Sequence, residues 1–258
     1  MTRFQPGVDQ RPGLVVVTGG SRGIGAATAR RLAAEGWNVQ LTYRSERAEA
    51  EKVVADCRAA GVCAAAMQVD ITVEAQVVEL FRSLPSDGGP LRGLVNNAGI
   101  VAPSAKVAEM GIRRLHDVFA VNVFGAFLCS REAVRIMSDP RAGSGGSIVN
   151  ISSRAAVLGS PNEYVDYAAS KAALDALTTG LALEVADQGI RVNSVRPGVI
   201  DTDIHARNGE PRRPQRLAPG LPMKRPGTAD EVAAAVCWLL SDVASYTTGA
   251  FLDVSGGR

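Results

Sequence analysis

This chain lacks most of the features that mark a specialised protein. Across its 258 residues there is no uncharged apolar run of 18, so no membrane-spanning helix is expected. Neither sign of charge dominates. The 28 basic and 26 acidic side chains leave a net charge of +2, whereas a dedicated nucleic-acid binder carries a basic excess gathered on one face. There are four cysteines, Cys57, Cys63, Cys129 and Cys237, scattered and without metal-ligand spacing. They read as reduced thiols of a cytoplasmic protein, and no metal site is expected. Of the two histidines, His116 reads as helix surface and His205 falls in a loop. The opening MTRFQPGVDQRPG has no apolar stretch of secretory-signal length, so residues 1–12 are expected to form a flexible leader. No linker, repeat or low-complexity tract interrupts residues 13–258, which are expected to form a single domain.

What is present is an alternation of strand and helix patterns. LVVVT (14–18), NVQLTY (38–43), VCAAAMQVD (62–70), LRGLVNNAG (91–99), GGSIVNISS (145–153), IRVNSVRPG (190–198) and GAFLDVSGG (249–257) read as strands. Between them lie helix patterns over about 24–36, 46–60, 73–84, 111–138, 164–186 and 230–240. In the first, Ile24, Thr28, Ala29, Leu32 and Ala33 share a face, opposite Arg30, Arg31 and Glu35. Parallel strands need crossovers, and right-handed crossovers stack helices on both faces. The expected fold is therefore α/β, a doubly wound, largely parallel sheet of about seven strands.

The first strand runs into TGGSRGIG (18–25), with glycines at Gly19, Gly20, Gly23 and Gly25. Glycine allows a tight turn and close approach of backbone to a ligand, and the following helix offers free N–H groups to a pyrophosphate. At this place in a doubly wound sheet the loop points to a dinucleotide. An NAD site wants an acidic residue about 20 positions on. Here no carboxylate occurs from Gly36 to Ser45; Arg44 stands there instead, and Arg22 projects from the loop. Two guanidiniums favour the extra phosphate of NADP(H), which is predicted over NAD(H).

YAASK places Tyr167 and Lys171 four apart, stacked on one helix face. An ammonium beside a phenol favours the phenolate, which suits proton transfer near neutral pH. Tyr164 has only Ala168 at that spacing. With TGGSRGIG, NNAG (96–99), Asn122, Ser152–Ser153 and YAASK in this order, the chain from Leu14 onward resembles a short-chain dehydrogenase/reductase of the single-domain, Rossmann-type branch. The resemblance implies a catalytic set of Asn122, Ser153, Tyr167 and Lys171. Ser152 competes with Ser153, since only one of two neighbours on a strand faces the site; the gap of fourteen to Tyr167 is one longer than usual. Asn122 would hold a water relay to the lysine, or be a buried amide satisfied by backbone at a helix kink.

Cofactor contacts implied by the resemblance are Gly19, Ser21, Arg22, Gly23, Ile24 and Gly25 in the loop, and Tyr43 and Arg44 after the second strand. Asp70 and Ile71 follow the third, with Asp70 either bonding adenine or capping a helix. Asn97, Ala98 and Gly99 would lie by the adenosine ribose, with Asn96 stabilising the sheet; Tyr167 and Lys171 would meet the nicotinamide half. Pro197, Gly198, Ile200 and Thr202 would cover the nicotinamide. Residues 201–225 form a long, arginine-rich segment expected to be a substrate lid. Its Arg207, Arg212, Arg213 and Arg216 would either attract an acidic substrate or acyl-carrier protein, or stay solvated. The implied reaction is NADP(H)-dependent transfer of a hydride between nicotinamide and a small-molecule carbonyl or secondary alcohol, in a homotetramer or homodimer. The rival reading is a catalytically idle dinucleotide-sensing protein on the same fold.

Overall fold

Four consecutive apolar residues, Leu14–Val17, form β1 and are buried on both faces. A strand with no polar side belongs in mid-sheet under two helical layers. In the computed structural model, which describes residues 13–139, 145–204 and 209–258, β1 pairs in parallel with β2 (Asn38–Tyr43) and β4 (Leu91–Asn96). The sheet is completed by β3 (Ala64–Gln68), β5 (Gly146–Ile151), β6 (Ile190–Pro197) and β7 (Phe251–Val254). Its order is β3-β2-β1-β4-β5-β6-β7 and every pairing is parallel, so the seven-stranded Rossmann-type sheet is as expected. The expected leader, His205 and Arg207 lie outside the described residues.

Side chains alternate across the sheet and divide the core in two. Val15, Val17, Val95, Val149 and Val195 pack beneath α1 (Gly23–Ala34), α2 (Arg47–Ala59) and α9 (Ala229–Leu240). Val16, Leu94, Ile148 and Val192 face α3 (Glu74–Arg82), α5 (Ala126–Met137) and α7 (Val165–Val185). Each fully buried valine or leucine contributes about 1.5–3 kcal/mol. Asn96 braces the middle of the sheet, donating to Asn150 Oδ1 at 2.8 Å and Ser130 Oγ at 2.9 Å.

Two expectations need correction. The helix read over 111–138 is α4 (Ile112–Phe119), a π-helical turn (Ala120–Gly125) and α5 in succession. Gly125 lies so close to Ile71 that a Cβ there would stand 2.5 Å from Ile71 Cδ1. The widened turn carries Asn122 in its middle, and π-turns gather at functional sites. The segment 201–225, expected to be a loop, contains α8 (Arg213–Leu217) and a 3-10 turn (Ala218–Gly220). It and α6 (Ala155–Leu158) are too short to show a periodicity in sequence.

The N-terminus of α7 is fixed by one buried ion pair. The Asp166 carboxylate is fully buried and takes two bonds from Arg114 of α4, at 2.7 and 3.1 Å. Arg114 also donates to the Pro103 carbonyl, so loop, α4 and α7 meet at one guanidinium. Removing one partner of such a pair costs about 3–5 kcal/mol. Asp166→Ala is expected to lose about 3 kcal/mol in chemical denaturation, because Arg114 keeps some solvent contact; a loss below about 1 kcal/mol would deny the pair this role.

Candidate active site

Strand order reverses between β1 and β4, which leaves a crevice at their C-terminal ends. The glycine loop and the Asn97–Gly99 turn form its two lips and are stitched together. Asn97 Nδ2 donates to the carbonyls of Thr18 and Gly19 at 2.9 and 3.0 Å. Gly19 has φ +62° and its N–H reaches Thr42 Oγ1 at 3.2 Å, which ties the loop to β2 as well. A Cβ on Gly25 would meet Asn97 Nδ2 and Gly19 O at 2.5 Å. Helix α1 then begins without a side-chain cap at Arg22 and without an acidic residue in its first turn. Its N–H groups and positive dipole end suit the pyrophosphate of a dinucleotide.

The crevice is a cleft of about 500 Å³. Every expected site residue lines it except Gly25 and Asn122. Gly25 serves the packing of α1 against the loop. Asn122 sits behind Gly99, its Oδ1 accepting from Ile100 N at 2.8 Å. Its Nδ2 donates to Ile100 O at 2.9 Å and Ser170 Oγ at 3.0 Å. The amide is thus satisfied by backbone and a serine. A Cβ at Gly99 would lie 3.3 Å from Asn122 Oδ1 and 3.4 Å from Lys171 Nζ, so the glycine lets these two groups approach.

At one end of the cleft Arg44 is exposed, while Arg22 lies 3.5 Å from Glu46. Glu46 stands one residue beyond the stretch searched for an acidic partner and also lines the cleft, so Arg22 does not offer its whole charge to a ligand. Asp70 Oδ1 accepts from the backbone N and the hydroxyl of Thr72, at 3.0 and 2.7 Å, in a local turn ahead of α3. Burial pushes the Asp70 carboxyl up, but the two Thr72 bonds and nearby Arg44 outweigh it and hold it below its ordinary range.

The other end joins β5, α7 and β6. Ser152 is buried and donates to the Lys171 carbonyl at 3.1 Å, while Ser153 lines the cleft on the side of the Tyr167 phenol, its Oγ accepting from Ala155 N at 3.1 Å. Lys171 Nζ lies 5.7 Å from the Tyr167 ring centroid and donates to Ile151 O at 2.7 Å. Burial pulls Lys171 down to about 8, against the field of Asp175, which raises it. Tyr167 keeps part of its surface open to the cleft, yet burial holds its phenol above the usual range and Ser153 only tempers this. The expected lowering of the phenol draws on the positive nicotinamide ring of an oxidised cofactor as well as on the ammonium, and burial is the larger effect in the protein by itself.

Sequence reasoning missed one cluster. Tyr164 is buried at the far side of the cleft and donates to Glu210 Oε1 at 2.8 Å, with the Arg213 guanidinium 5.0 Å from its ring centroid. Burial, then the Glu210 bond, pushes this phenol up to about 12. Arg213 makes a two-pronged pair with Glu163, and Arg216 pairs with Glu210. Arg213 and Arg216 are thus engaged with carboxylates of the chain and are not held out for an acidic substrate. Burial also pushes the free thiols of Cys57, Cys129 and Cys237 up to about 11, 12 and 12, which makes them poor nucleophiles. Among the described residues no cluster of His, Cys, Asp and Glu is placed to hold a metal ion, and no helix is long and apolar enough to cross a membrane.

A cleft at the switch point of a parallel sheet, with a glycine loop at its lip, is the mark of dinucleotide-binding α/β enzymes. Comparison with known proteins narrows the class. A family model described as Enoyl-(Acyl carrier protein) reductase matches residues 19–258. An uncharacterized oxidoreductase, YgfF of Escherichia coli (strain K12), is 53% identical over 95% of this chain and 99% of its own length. A 3beta-hydroxysteroid dehydrogenase 1 of Eggerthella lenta is 42% identical over 94% of this chain and 92% of its own. A short-chain type dehydrogenase/reductase from Mycobacterium marinum superposes with a TM-score of 0.88 at 30% identity, covering 95% of this chain and 94% of that one. The chain belongs to the short-chain dehydrogenase/reductase family and is an oxidoreductase of that family, whose members use a nicotinamide cofactor.

The two serines are expected to separate in experiment. Ser153→Ala is expected to reduce kcat/KM by about a hundredfold or more, the usual effect of losing a well-placed donor at a reacting oxygen. Ser152→Ala should keep kcat/KM within about tenfold and lower stability by about 1 kcal/mol for its buried hydrogen bond. Steady-state kinetics and thermal melts of both variants would reveal a reversed order if Ser152 were the reacting serine.

Proposed function

We propose that the protein is an NADP(H)-dependent carbonyl reductase, working in reverse as an alcohol dehydrogenase, with Tyr167 as general acid and base. The observation that carries this reading is the meeting of Ser153, Tyr167 and buried Lys171 in one cleft, at the end of the glycine-lipped crevice. Nicotinamide, when bound, supplies or accepts the hydride. Ser153 orients the substrate oxygen beside the phenol. Tyr167 Oη then gives that oxygen a proton, or takes one from the alcohol. Lys171, charged, lowers the cost of the phenolate and holds ribose hydroxyls. Gly19, Gly23 and the open end of α1 would hold the pyrophosphate, and Pro197, Gly198, Ile200 and Thr202 the carboxamide side. All of Ser153, Tyr167 and Lys171 are present, which weighs against the idle dinucleotide sensor.

Preference for NADP(H) rests chiefly on Arg44, since Arg22 shares its charge with Glu46. Residues 13–258 are read as one catalytic domain with 201–225 as substrate lid. The internally paired Arg213 and Arg216 weigh against an acyl-carrier partner, and the relative named a 3beta-hydroxysteroid dehydrogenase puts secondary alcohols on bulky rings first among candidates. Four free cysteines support a cytoplasmic setting. The exposed Phe124 of the π-helical turn, Phe127 of α5 and Leu183 of α7 support assembly as a homotetramer or homodimer.

The test is oxidation of NADPH, with NADH in parallel, against bulky cyclic ketones, small diketones, aldoses and acetoacetyl-CoA. Turnover of one class with NADPH favoured is expected. Silence across the panel with NADPH still bound would favour the sensor. Tyr167→Phe should bind NADPH normally and lose turnover by a factor of at least about 10²; substantial remaining activity would remove Tyr167 from the mechanism. Arg44→Asp should shift the ratio of kcat/KM for NADPH over NADH toward NADH by about tenfold or more, the equivalent of about 1.4 kcal/mol. An unchanged ratio would end the assignment of Arg44 to the 2′-phosphate.

A further inference from the structure

The reaction as proposed gives Lys171 a role but none to the buried Asp175, one turn further along α7. Of the chain's four lysines, Lys52, Lys106 and Lys224 are exposed and Lys171 is buried. A buried ammonium is costly unless something compensates it, and the Lys171 hydrogen bond goes to a neutral carbonyl, Ile151 O. A counter-charge lies one turn along α7. Asp175 is four residues on, and so on the same face, and it is buried too. Its carboxylate is fixed from a different element: Arg196 Nε and Nη2 each lie 2.9 Å from Oδ2, and Ser194 Oγ donates to Oδ1 at 3.3 Å. Both partners belong to β6, the strand that runs directly into Pro197 and Gly198. Arg196 is held in turn over the Phe251 ring, 4.0 Å from its centroid. An ion pair at such a depth is poor value for stability alone, since apolar residues of similar volume serve as well or better.

We propose that Asp175, clamped to β6 by Arg196 and Ser194, is a positioning residue that keeps the Lys171 ammonium charged in the cleft and ties the helix of Tyr167 to the strand leading to Pro197 and Gly198. The inference rests on the reading of Lys171 as part of the reaction. Burial alone drives Lys171 toward its neutral form, and Asp175 is the charge that opposes this. Arg196, bound to Asp175, offsets part of that field. The other groups around the ammonium are the Tyr167 ring from α7, the Ile151 carbonyl from β5, and Gly99 with uncharged Asn122 behind it. Removing the carboxylate therefore lowers the pH at which Lys171 loses its proton, and removing the guanidinium raises it.

Four lysines make the titration directly visible. In protein labelled with [6-13C]lysine, the resonance lost in Lys171→Met is that of Lys171, and it should titrate below the ordinary lysine value. Asp175→Asn should move that one down by about half a unit or more, and Asp175→Glu should restore it. Arg196→Met should move it up, which keeps the test intact if Asp175→Asn does not fold. The alkaline limb of kcat/KM for carbonyl reduction should move in the same directions. A Lys171 midpoint unchanged in Asp175→Asn, or moved the same way by both substitutions, would overturn the proposal. The NMR titration needs no turnover, so an enzyme inactive on every substrate would count against the proposed reaction and leave this result standing.

Discussion

The cleft exists because one asparagine side chain bridges the two strand ends that part at the switch point. Asn97 binds the Thr18 and Gly19 carbonyls, while Thr18 Oγ1 accepts from the N–H groups of Asn97 and Ala98. Each bond contributes only about 1 kcal/mol net, but leaving such groups unmet in the interior costs about 1–3 kcal/mol each. The loop is therefore held in one conformation before any ligand arrives. Gly25 follows from this closure, because a side chain there would occupy the place of the Asn97 amide. Helix α1 is aimed at the cleft by the same contact.

Burial sets the electrostatics at the other end. Both the phenol and the ammonium of the Tyr167–Lys171 pair are pushed toward their neutral forms by the protein around them. A group poised this way responds strongly to any added charge, since little solvent screens it. The carbonyl of Ile151 and the hydroxyl of Ser153, at the end of β5, and the carboxylate of Asp175, on α7 itself, each act on that pair. The π-turn belongs to the same design: it lets Asn122 hold the backbone at Ile100 while leaving Gly99 thin enough for Lys171 to come near.

Residues 210–216 are fastened to the start of α7 largely by charge. Glu163 and Tyr164, just before α7, meet Glu210, Arg213 and Arg216. Arg213 is largely shielded from solvent, whereas Arg216 is exposed, and its pair with Glu210 contributes little net stability and is screened by salt.

Much of this was legible in the chain itself. Apolar runs such as Leu14–Val17 and the helical period of Gly23–Ala34 mark buried strands and half-buried helices, because periods of 2 and 3.6 follow from backbone geometry alone. The glycine loop and the Tyr167–Lys171 spacing are local patterns too, and they carried the family and the ends of the cleft. What no local pattern contains is who meets whom across distance. The Glu46–Arg22 pair, the Tyr164–Glu210 bond and the Asp175–Arg196 clamp all join residues on different elements. Sequence determined the elements, their order and the family to which they belong; tertiary structure decided which charges are shared or buried, because burial and pairing are properties of the packed chain and not of any segment within it.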